Sequence, residues 1–447
     1  MKMLGTSSPE GRIVPIVGDL WSMLRDPLTF LVTLPASDGI AWINFGLAPV
    51  ALVCDPDLIQ RVLKDDRTFD KGGTIFDRLR ELVGDGLATC PHSQHRRLRR
   101  LSAPAFRPGQ LARYDTIIQS EIDGLLDSWR DGQVVDVLEQ TTTFTARVAL
   151  RSLLGASLAG KASDQVVADI NTAFAGLGPR LLMPPVVAAL PFFGNRQYKQ
   201  ALMGLHDAIA NVIDDRRQHL DDDEPDLLAS MIIARDADTG LTDTELADQA
   251  MTFLNAGTET TRSAMAWALS LLARHPHIQQ QLHKETVTAP AGSDSAASSR
   301  HGSTLCGRII DETLRLYPPA WILTRRVSTD TKLGSHDLPR GTVVAFSPYR
   351  QHHRDEFYPH PETFDPDRWL EYSPRPGIYI PFGDGPRNCI GNRFAARELH
   401  LALRAISAGW QLNPITDQPD KFKFGLGLTP HDLRLRVARR QTEGSMK

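Results

Sequence analysis

One run of residues constrains the possible fold more than any other part of this 447-residue chain. Thr242 and Glu245 have the spacing of a helix capping box, and the helical periodicity that follows continues to Arg274, just before Pro276. At about 1.5 Å per residue this helix is about 48 Å long, which is enough to cross a whole domain. Because such a helix must pass through the core, the polar residues at its middle require a specific explanation.

The remaining pattern predicts a mainly α fold with a small β-rich part. Apolar residues recur at helical spacing from about Ala112 to Arg274, and we expect a helical core over about 95–320. Before them, about 40–54 predicts two short strands around a turn at Gly46–Pro49, and Pro56 opens the helix that follows. Neither an internal repeat nor a domain linker interrupts the chain, so we expect a single large domain over 1–447.

The sequence also predicts the local structure of several other segments. Leu305–Leu316 predicts a helix, Gly341–Phe346 predicts a strand, and a terminal strand pair is expected to end near Val437. Three prolines prevent Leu181–Gly194 from forming one helix, which leaves a buried loop and a lipophilic substrate entrance as alternatives. The Ala-, Gly- and Ser-rich Ala289–Ser303 predicts a flexible surface loop.

Charge and cysteine content exclude several classes of protein. A formal net charge of -3 gives no indication of a nucleic-acid or anionic-membrane partner. Met1–Arg12 lacks the apolar stretch of a signal peptide, and no segment offers the ~20 apolar residues of a membrane span. The cysteines have neither a CxxC pair nor a regular spacing, which argues against a disulfide framework and a zinc ribbon. We therefore expect a soluble protein of the reducing cytoplasm. The cysteines are Cys54, Cys90, Cys306 and Cys389.

A glycine-rich loop at 381–391 contains the most informative cysteine. Cys389 lies where the apolar-periodic helix Phe394–Ile406 begins, so the helix dipole and nearby backbone N–H groups favour the thiolate that a metal requires. The glycines allow positive φ and close approach to a flat ligand, and Arg387 adds a cation two residues before the sulfur. A cysteine considered alone is more commonly a small buried residue, and a glycine-rich turn is commonly only a turn.

The whole loop resembles the signature of the cytochrome P450 family, Phe-x-x-Gly-x-Arg-x-Cys-x-Gly. The resemblance implies a haem-thiolate monooxygenase with the cytochrome P450 fold, a long central helix over the haem, and haem b ligated by Cys389. Phe382, Gly383 and Gly391 would then contact the cofactor. The matching positions are Phe382, Gly385, Arg387, Cys389 and Gly391.

A second motif places Glu312 and Arg315 three residues apart, on one face of a helix. Alone, this spacing is typical of an ordinary surface salt bridge. Downstream, Pro366-Asp-Arg368-Trp369 resembles the Pro-Glu-Arg-Phe segment of the family, with Asp367 and Trp369 in place of Glu and Phe. The resemblance implies a structural network of Glu312, Arg315 and Arg368 that supports the thiolate loop.

The middle of the long helix reads Ala256-Gly-Thr-Glu259-Thr260-Thr. Hydroxyl side chains here can bond back to preceding carbonyl groups, which distorts a helix and opens a groove. In the family, Ala256 would leave space for dioxygen beside the iron, and Glu259 and Thr260 would deliver protons through ordered water. The alternative is a helix with polar residues that face solvent.

Haem propionates are anions inside a protein and require cationic partners. The resemblance implies Arg387, Arg325 and the His95/Arg99 pair, which has i, i+4 spacing. We favour Arg325 over the adjacent Arg326. His95 could instead be a solvated residue of a basic helix.

Electrons are expected to pass from NAD(P)H through a ferredoxin reductase and a ferredoxin, because no flavin or GxGxxG segment is present in this sequence. Arginines that flank the haem-binding segments predict a basic face for an acidic ferredoxin, sensitive to salt. We expect a monomer. The arginines are Arg96, Arg97, Arg100, Arg393 and Arg397.

The substrate is expected to be an apolar small molecule. Pro319-Ala-Trp-Ile-Leu-Thr-Arg-Arg and Leu428-Thr-Pro-His-Asp-Leu resemble actinobacterial sesquiterpene-oxidising members, so a sesquiterpene of secondary metabolism is the first hypothesis, against a fatty acid or polyketide. Two rival functions are a peroxide-driven hydroxylase, which Glu259 and Thr260 oppose, and a non-catalytic haem-thiolate sensor. Candidate substrate contacts are Phe76, Leu79, Phe253, Leu254, Trp321 and Ile322.

Overall fold

The computed structural model describes residues 25–44, 49–155, 161–182, 193–219, 226–233, 240–288, 304–418, 420–424 and 427–441. Some of the segments with sequence predictions lie outside these residues. They are Met1–Arg12, 46–48 of the first turn, 183–192 of the proline-containing apolar segment, and Ala289–Ser303.

Helices dominate the described chain. In chain order they are α1 (Pro27–Thr33), α2 (Pro56–Lys64), α3 (Thr74–Val83), α4 (His92–Ser102), α5 (Pro108–Asp127), α6 (Val137–Leu154), α7 (Lys161–Leu182), α8 (Phe193–Gln218), α9 (Leu227–Ile233), α10 (Asp243–Arg274), α11 (Pro276–Thr288), α12 (Leu305–Leu316), α13 (Pro348–His352), α14 (Arg368–Glu371) and α15 (Asn392–Gly409). Short 3-10 helices span Ala103–Phe106 and Gly385–Arg387.

The strands are short and lie within 40–136 and 323–439 of the sequence. They are β1 (Ile40–Asn44), β2 (Pro49–Val53), β3 (Phe69–Asp70), β4 (Val134–Asp136), β5 (Leu323–Val327), β6 (Thr331–Leu333), β7 (His336–Leu338), β8 (Val343–Phe346), β9 (Trp410–Pro414), β10 (Phe422–Phe424), β11 (Leu428–Pro430) and β12 (Arg434–Arg439).

The described residues divide into two compact units. The first takes those up to Asp77, with Ala320–Thr363 and Pro374–Cys389, and the second takes those within Arg78–Pro319, Phe364–Ser373 and from Ile390 onward. The expectation of a single domain stays a prediction.

The first unit is built on a five-stranded mixed sheet in the order β1-β2-β8-β5-β3. Strand β2 pairs antiparallel with β1 and parallel with β8, and β5 pairs antiparallel with both β8 and β3. The last three residues of β2, 51–53, are buried. Helix α2 packs Ile59, Val62 and Leu63 into the same core. This sheet positions the residues on β3 and β5 that belong to the candidate site.

The second unit is built around α10, which packs against α6, α8, α12, α15, β9 and β11. Its apolar residues are almost all buried, as a helix through a core requires. The predicted capping box is present, because the Thr242 side chain accepts from the Glu245 backbone and the Glu245 carboxylate accepts from the Thr242 backbone. The length and both ends predicted for this helix are therefore confirmed.

The other local predictions also agree with the structure. Strands β1 and β2 lie within about 40–54, helix α2 begins at Pro56, and α12 has the predicted bounds. Strand β8 occupies the end of the predicted Gly341–Phe346 segment, and the terminal strand extends past Val437. Within the described part of the chain, no helix is both long enough and apolar enough to cross a membrane.

Candidate active site

The cysteine loop is anchored in the first unit by backbone geometry. The backbone N–H of Cys389 donates to the carbonyl oxygen of Phe382 at 2.9 Å, which closes the loop on itself. Gly383 and Gly385 both have a φ of +69°, a conformation that residues with a side chain rarely adopt. The predicted positions of Gly383 and Gly385 therefore have a conformational reason, whereas Gly391 has a φ of -88°, so the expectation of positive φ is wrong there.

Helix α2 holds the same loop from one side. A Cβ on Gly385 would lie 2.3 Å from the carbonyl oxygen of Leu63, so only glycine permits this approach. The side-chain amide of Gln60 donates to Asp384 Oδ2 at 2.9 Å. Since α2 itself packs into the sheet core, the loop is fixed to a rigid support.

Exposure distinguishes Cys389 from the other cysteines. Cys389 is exposed, whereas Cys54, Cys90 and Cys306 are buried. Burial raises the pKa of Cys54, which favours an inert thiol there. A metal ligand must be reachable, so Cys389 is the cysteine whose position suits that role.

Arg387 has protein partners that the sequence reading did not foresee. Its Nε lies 2.9 Å from Asp66 Oδ2 and its Nη2 lies 2.8 Å from Asp70 Oδ1, with the guanidinium side chain almost fully buried. Two carboxylates therefore compensate its charge within the first unit. Its predicted contact with a haem propionate stays a prediction.

Arg325, on β5, is a buried cation of a different kind. Its side chain is 3% exposed, whereas the adjacent Arg326 is half-exposed and pairs with Asp77. Burial, followed by repulsion from Arg387, lowers the pKa of Arg325 to about 10. Its Nη1 donates to the carbonyl of Thr324, and no carboxylate of the described residues forms an ion pair with it. A buried guanidinium in this state is suited to an anionic ligand.

Haem b is the cofactor that the sequence resemblance implies, and these residues fit it. The first unit presents a reachable cysteine on a glycine loop of fixed geometry. It also presents Arg325, a buried positive charge without a carboxylate partner in the described chain. A thiolate and a buried cation are the two donor types that an iron porphyrin with anionic side chains requires.

In the second unit, the middle of α10 exposes two residues within a buried stretch. Ala256 and Thr260 are exposed and lie one turn apart, whereas Thr258 and Thr261 are buried. The Thr260 hydroxyl donates to the carbonyl of Ala256 at 2.8 Å, the back-bonding expected from the sequence. Helix α10 continues unbroken through this segment.

Glu259, unlike Thr260, is buried and forms an ion pair with Arg262. Its carboxylate is 6% exposed, and its Oε2 lies 2.5 Å from Nη2 and 2.9 Å from Nε of Arg262. The guanidinium of Arg262 also lies over the ring of Phe174, 5.0 Å from its centroid, and reaches Thr142 Oγ1 at 3.4 Å. The solvent-facing alternative for Glu259 is therefore wrong, and Arg262 is a site residue that the sequence reading missed.

Glu312 is the centre of a fully buried ion network. Arg315 binds its carboxylate through two hydrogen bonds of 2.9 Å, and neither side chain has any exposed surface. Arg368 Nε lies 3.5 Å from Glu312 Oε1. The predicted cluster of these three residues is present, and the surface salt-bridge alternative is wrong.

One of the two substitutions in the Pro-Asp-Arg-Trp segment, Trp369, adds a bond to this network. Trp369 Nε1 donates to Glu312 Oε2 at 3.1 Å, a bond that phenylalanine could not form. Asp365 donates its backbone N–H to Glu312 Oε1 at 3.1 Å, and the carboxylate of Asp367 pairs with Arg308 at 2.9 Å. The buried carboxylate is thus saturated with donors, as a buried charge requires.

His95 and Arg99 lie on α4 in the second unit. His95 is buried, which excludes the alternative of a solvated histidine, and Arg99 is half-buried. The 3-10 helix that follows α4 brings Phe106 close to the loop exit, because a Cβ on Gly391 would lie 3.7 Å from Phe106 Cε1. The contact of His95 and Arg99 with a haem propionate stays a prediction.

The candidate substrate residues are largely enclosed. Phe76, Phe253 and Trp321 are buried, and Leu79 and Ile322 are half-buried. Phe253 packs against Phe106 with ring centroids 5.6 Å apart. Leu254 has no exposed surface. All these substrate contacts stay predictions.

The predicted basic face is only partly available. Arg97 Nη1 lies 2.7 Å from Glu245 Oε1, and Arg397 forms an ion pair with Asp115. These two arginines therefore already have carboxylate partners. Arg96, Arg100 and Arg393 are exposed.

Comparison with known proteins agrees with this geometry. The cytochrome P450 family model matches residues 11–437. Pentalenene oxygenase of Streptomyces avermitilis is 37% identical over 435 residues, 96% of each chain. Cyclooctatin synthase of Streptomyces melanosporofaciens is 36% identical over 436 residues, 96% of this chain and 95% of that protein.

A solved structure shares the architecture. The crystal structure of the cytochrome P450DA heme domain is similar with a TM-score of 0.81 and 26% identity, and the match covers 98% of this chain and 97% of that chain. The family match extends over almost the whole sequence, and the relatives match over almost their full lengths. This chain is therefore a member of the cytochrome P450 family and an O2-dependent monooxygenase.

Proposed function

We propose that this monooxygenase oxidises a cyclic terpene, with a sesquiterpene hydrocarbon of secondary metabolism as the first candidate. The observation that carries the proposal is the 37% identity to pentalenene oxygenase over 96% of both chains. The name of that relative gives pentalenene, a terpene, as its substrate, and a chain this similar is expected to accept a molecule of the same class.

The character of the candidate contacts supports an apolar substrate. Phe253 and Phe106 pack together in the second unit, and Phe76 and Trp321 are buried in the first. Aromatic side chains offer large apolar area without a demand for hydrogen bonds from the ligand. A hydrocarbon has no polar group to satisfy, so shape and apolar area would select it.

Haem, when bound, supplies the activation of dioxygen and the insertion of oxygen, and thiolate ligation favours O–O cleavage. Cys389 would hold the iron, and Arg325 would hold a propionate. Glu259 and Thr260 would supply the proton route. The loop at Phe382–Cys389 and the buried guanidinium of Arg325 support the first two roles.

Thr260 is suited to hold a water molecule at its hydroxyl oxygen. The hydroxyl hydrogen is committed to the carbonyl of Ala256 at 2.8 Å, so the oxygen lone pairs remain available as acceptors. A water that donates to this oxygen is held in place and can pass on a proton. The exposed position of Thr260 on α10 supports this role.

Glu259 would exchange the proton at Oε1. Arg262 binds Oε2 through Nη2 and Nε and so fixes the orientation of the carboxylate. The other oxygen, Oε1, lies beside Gly427, where a Cβ would come within 3.1 Å of it. Arg262 therefore orients the acid, and proton uptake and release would occur at the oxygen that Arg262 does not bind.

Electrons would come from NAD(P)H through a ferredoxin reductase and a ferredoxin. The exposed Arg96, Arg100 and Arg393 support docking of an acidic ferredoxin. They lie on α4 and α15, and Phe106 links the end of α4 to the start of α15 at Gly391. The cytoplasmic location and the monomeric state stay predictions.

The test is a ligand titration of the ferric protein with cyclic sesquiterpenes, fatty acids and macrolactones. A sesquiterpene that is the substrate is expected to displace water from the iron, seen as a blue shift of the Soret band at low micromolar concentration. Turnover of the same compound with NAD(P)H, a ferredoxin system and labelled dioxygen should then give a product that contains one labelled oxygen atom.

Two other outcomes would refute either the terpene substrate or the electron route. A shift with a fatty acid or a macrolactone, and with no terpene, would refute the terpene assignment and leave the monooxygenase in place. Product formation driven by hydrogen peroxide, with no response to the ferredoxin system, would refute the proposed electron route.

A further inference from the structure

Two aspartates beside the cysteine loop have no role in the activity described above. Asp66 follows α2, and Asp70 is the last residue of β3. Both bind the guanidinium of Arg387, at 2.9 Å from Nε and 2.8 Å from Nη2 respectively. Arg387 itself lies two residues before Cys389. These three side chains form what we call the aspartate–arginine triad.

The triad belongs to a larger set of buried charges that includes Arg325. Repulsion from Arg387 helps to lower the pKa of Arg325, and attraction to Asp70 and Asp66 opposes that change. The four groups are therefore close enough to influence one another. Two cations and two carboxylates give this set a net charge of zero before any ligand binds.

The distribution of charge within the set is uneven. Arg387 has both carboxylates as direct partners, whereas Arg325 has none of the described carboxylates at ion-pair distance. An anionic ligand near Arg387 would meet two aspartates already in place, whereas Arg325 has no such carboxylate beside it among the described residues. The aspartates act as fixed negative charges next to the cysteine loop.

Fixed negative charge near an iron centre changes its redox balance. Reduction adds an electron, so a nearby carboxylate destabilises the reduced form more than the oxidised form. The effect persists because the Arg387 and Asp66 side chains are only 2% and 11% exposed, which limits screening by solvent. Asp70 is 21% exposed, so its influence should be the weaker of the two.

We propose that Asp66 and Asp70 are positioning residues that hold Arg387 and lower the reduction potential of the haem bound by Cys389. This role depends on haem ligation by Cys389, and not on the identity of the substrate. It assigns the two carboxylates to the electron-transfer steps of the enzyme rather than to contact with the substrate.

The test is a redox titration of the haem in Asp66→Asn and Asp70→Asn. Each variant keeps the other aspartate on Arg387, and each is expected to shift the midpoint potential to more positive values, with the larger shift for Asp66→Asn. Asp70→Glu keeps the charge and should stay close to the wild type. Asp77→Asn is the matched control, because it removes a half-exposed carboxylate that pairs with Arg326 at 3.5 Å.

Three results would overturn the proposal. The first is a potential in both triad Asn variants that equals that of Asp77→Asn. The second is a shift in Asp70→Glu as large as that in Asp70→Asn, which would indicate a steric rather than a charge effect. The third is loss of haem from both Asn variants with retention in Asp70→Glu, which would assign the carboxylates to haem retention. A wild-type protein without a thiolate-type carbon monoxide complex would instead refute the haem ligation itself.

Discussion

The Thr260 hydroxyl provides the most direct residue-scale test of the proton route. Thr260 and Thr258 both bond back along α10, to the carbonyls of Ala256 and Leu254 at 2.8 and 2.7 Å. Only Thr260 is exposed, while Thr258 has no exposed surface. Because both threonines make the same type of hydrogen bond but differ in exposure, Thr258 is a matched control for Thr260.

Thr260→Val should uncouple the enzyme, because valine keeps the shape but removes the oxygen that would hold a proton-donating water. Loss of a positioned proton-transfer group costs about 10²–10⁴-fold. We expect product formation to fall towards the lower end of that range, because bulk water can still donate, while NAD(P)H consumption continues.

The measurement is the ratio of product formed to NAD(P)H consumed, with Thr258→Val as the control. The control should keep the wild-type ratio. Equal ratios in the two variants would argue that Thr260 has no special part in proton delivery.

Some residue-scale contacts were accessible from sequence spacing and others were not. Glu259 and Arg262 are three residues apart, the same signal that identified Glu312 and Arg315, so this pair could have been predicted. The bond from Trp369 to Glu312 spans 57 residues, and no spacing rule reaches so far.

At the scale of elements, local sequence signals were sufficient for the helices. The capping box at Thr242 and the proline after Arg274 fixed both ends of α10 because caps and breakers act within one turn. The aspartate–arginine triad was not predictable, since Arg387 lies 321 and 317 residues from its two partners. Helix α2, which packs against the 3-10 helix Gly385–Arg387, brings these distant segments together.

The exposed arginines of α4 and α15 lead to a prediction about electron transfer. If Arg96, Arg100 and Arg393 attract an acidic ferredoxin, its rate of haem reduction should fall as salt concentration rises, because salt screens exposed charges. Arg100→Gln and Arg393→Gln should reduce both the rate at low salt and its salt dependence.

Stopped-flow reduction at several ionic strengths checks this expectation. Arg434→Gln is the control, because Arg434 is an exposed arginine on β12. A rate that does not respond to salt, or an equal loss in the control, would count against the proposed docking face.

At the scale of the whole molecule, the sequence motifs identified the family because they combine distant segments in a fixed order. The thiolate loop, the Glu312 pair and the centre of α10 each have common alternative meanings, and their joint occurrence removed those alternatives. The match of the family model over residues 11–437 agrees with that reading. The division of the described residues into two compact units was not foreseen, because the segments of the first unit are far apart in sequence.

The substrate is the feature of this enzyme that its sequence predicts least well. Phe253, Trp321 and the other candidate contacts are buried or half-buried apolar side chains, and apolar contacts select a ligand by its shape, which residue identities alone do not reveal. The terpene class therefore depends on similarity to named relatives, and the titration described above decides it.

Haem ligation by Cys389 is tested most directly by the spectrum of the reduced carbon monoxide complex in Cys389→Ser and Cys306→Ser. Cys306 is the matched control because it is a buried cysteine whose thiol lies 3.8 Å from the carbonyl of His400, a contact that serine can replace. We predict the long-wavelength Soret band of a thiolate-ligated haem in the wild type and in Cys306→Ser, and its loss in Cys389→Ser. Retention of that band in Cys389→Ser, or its absence from the wild type, would contradict the account.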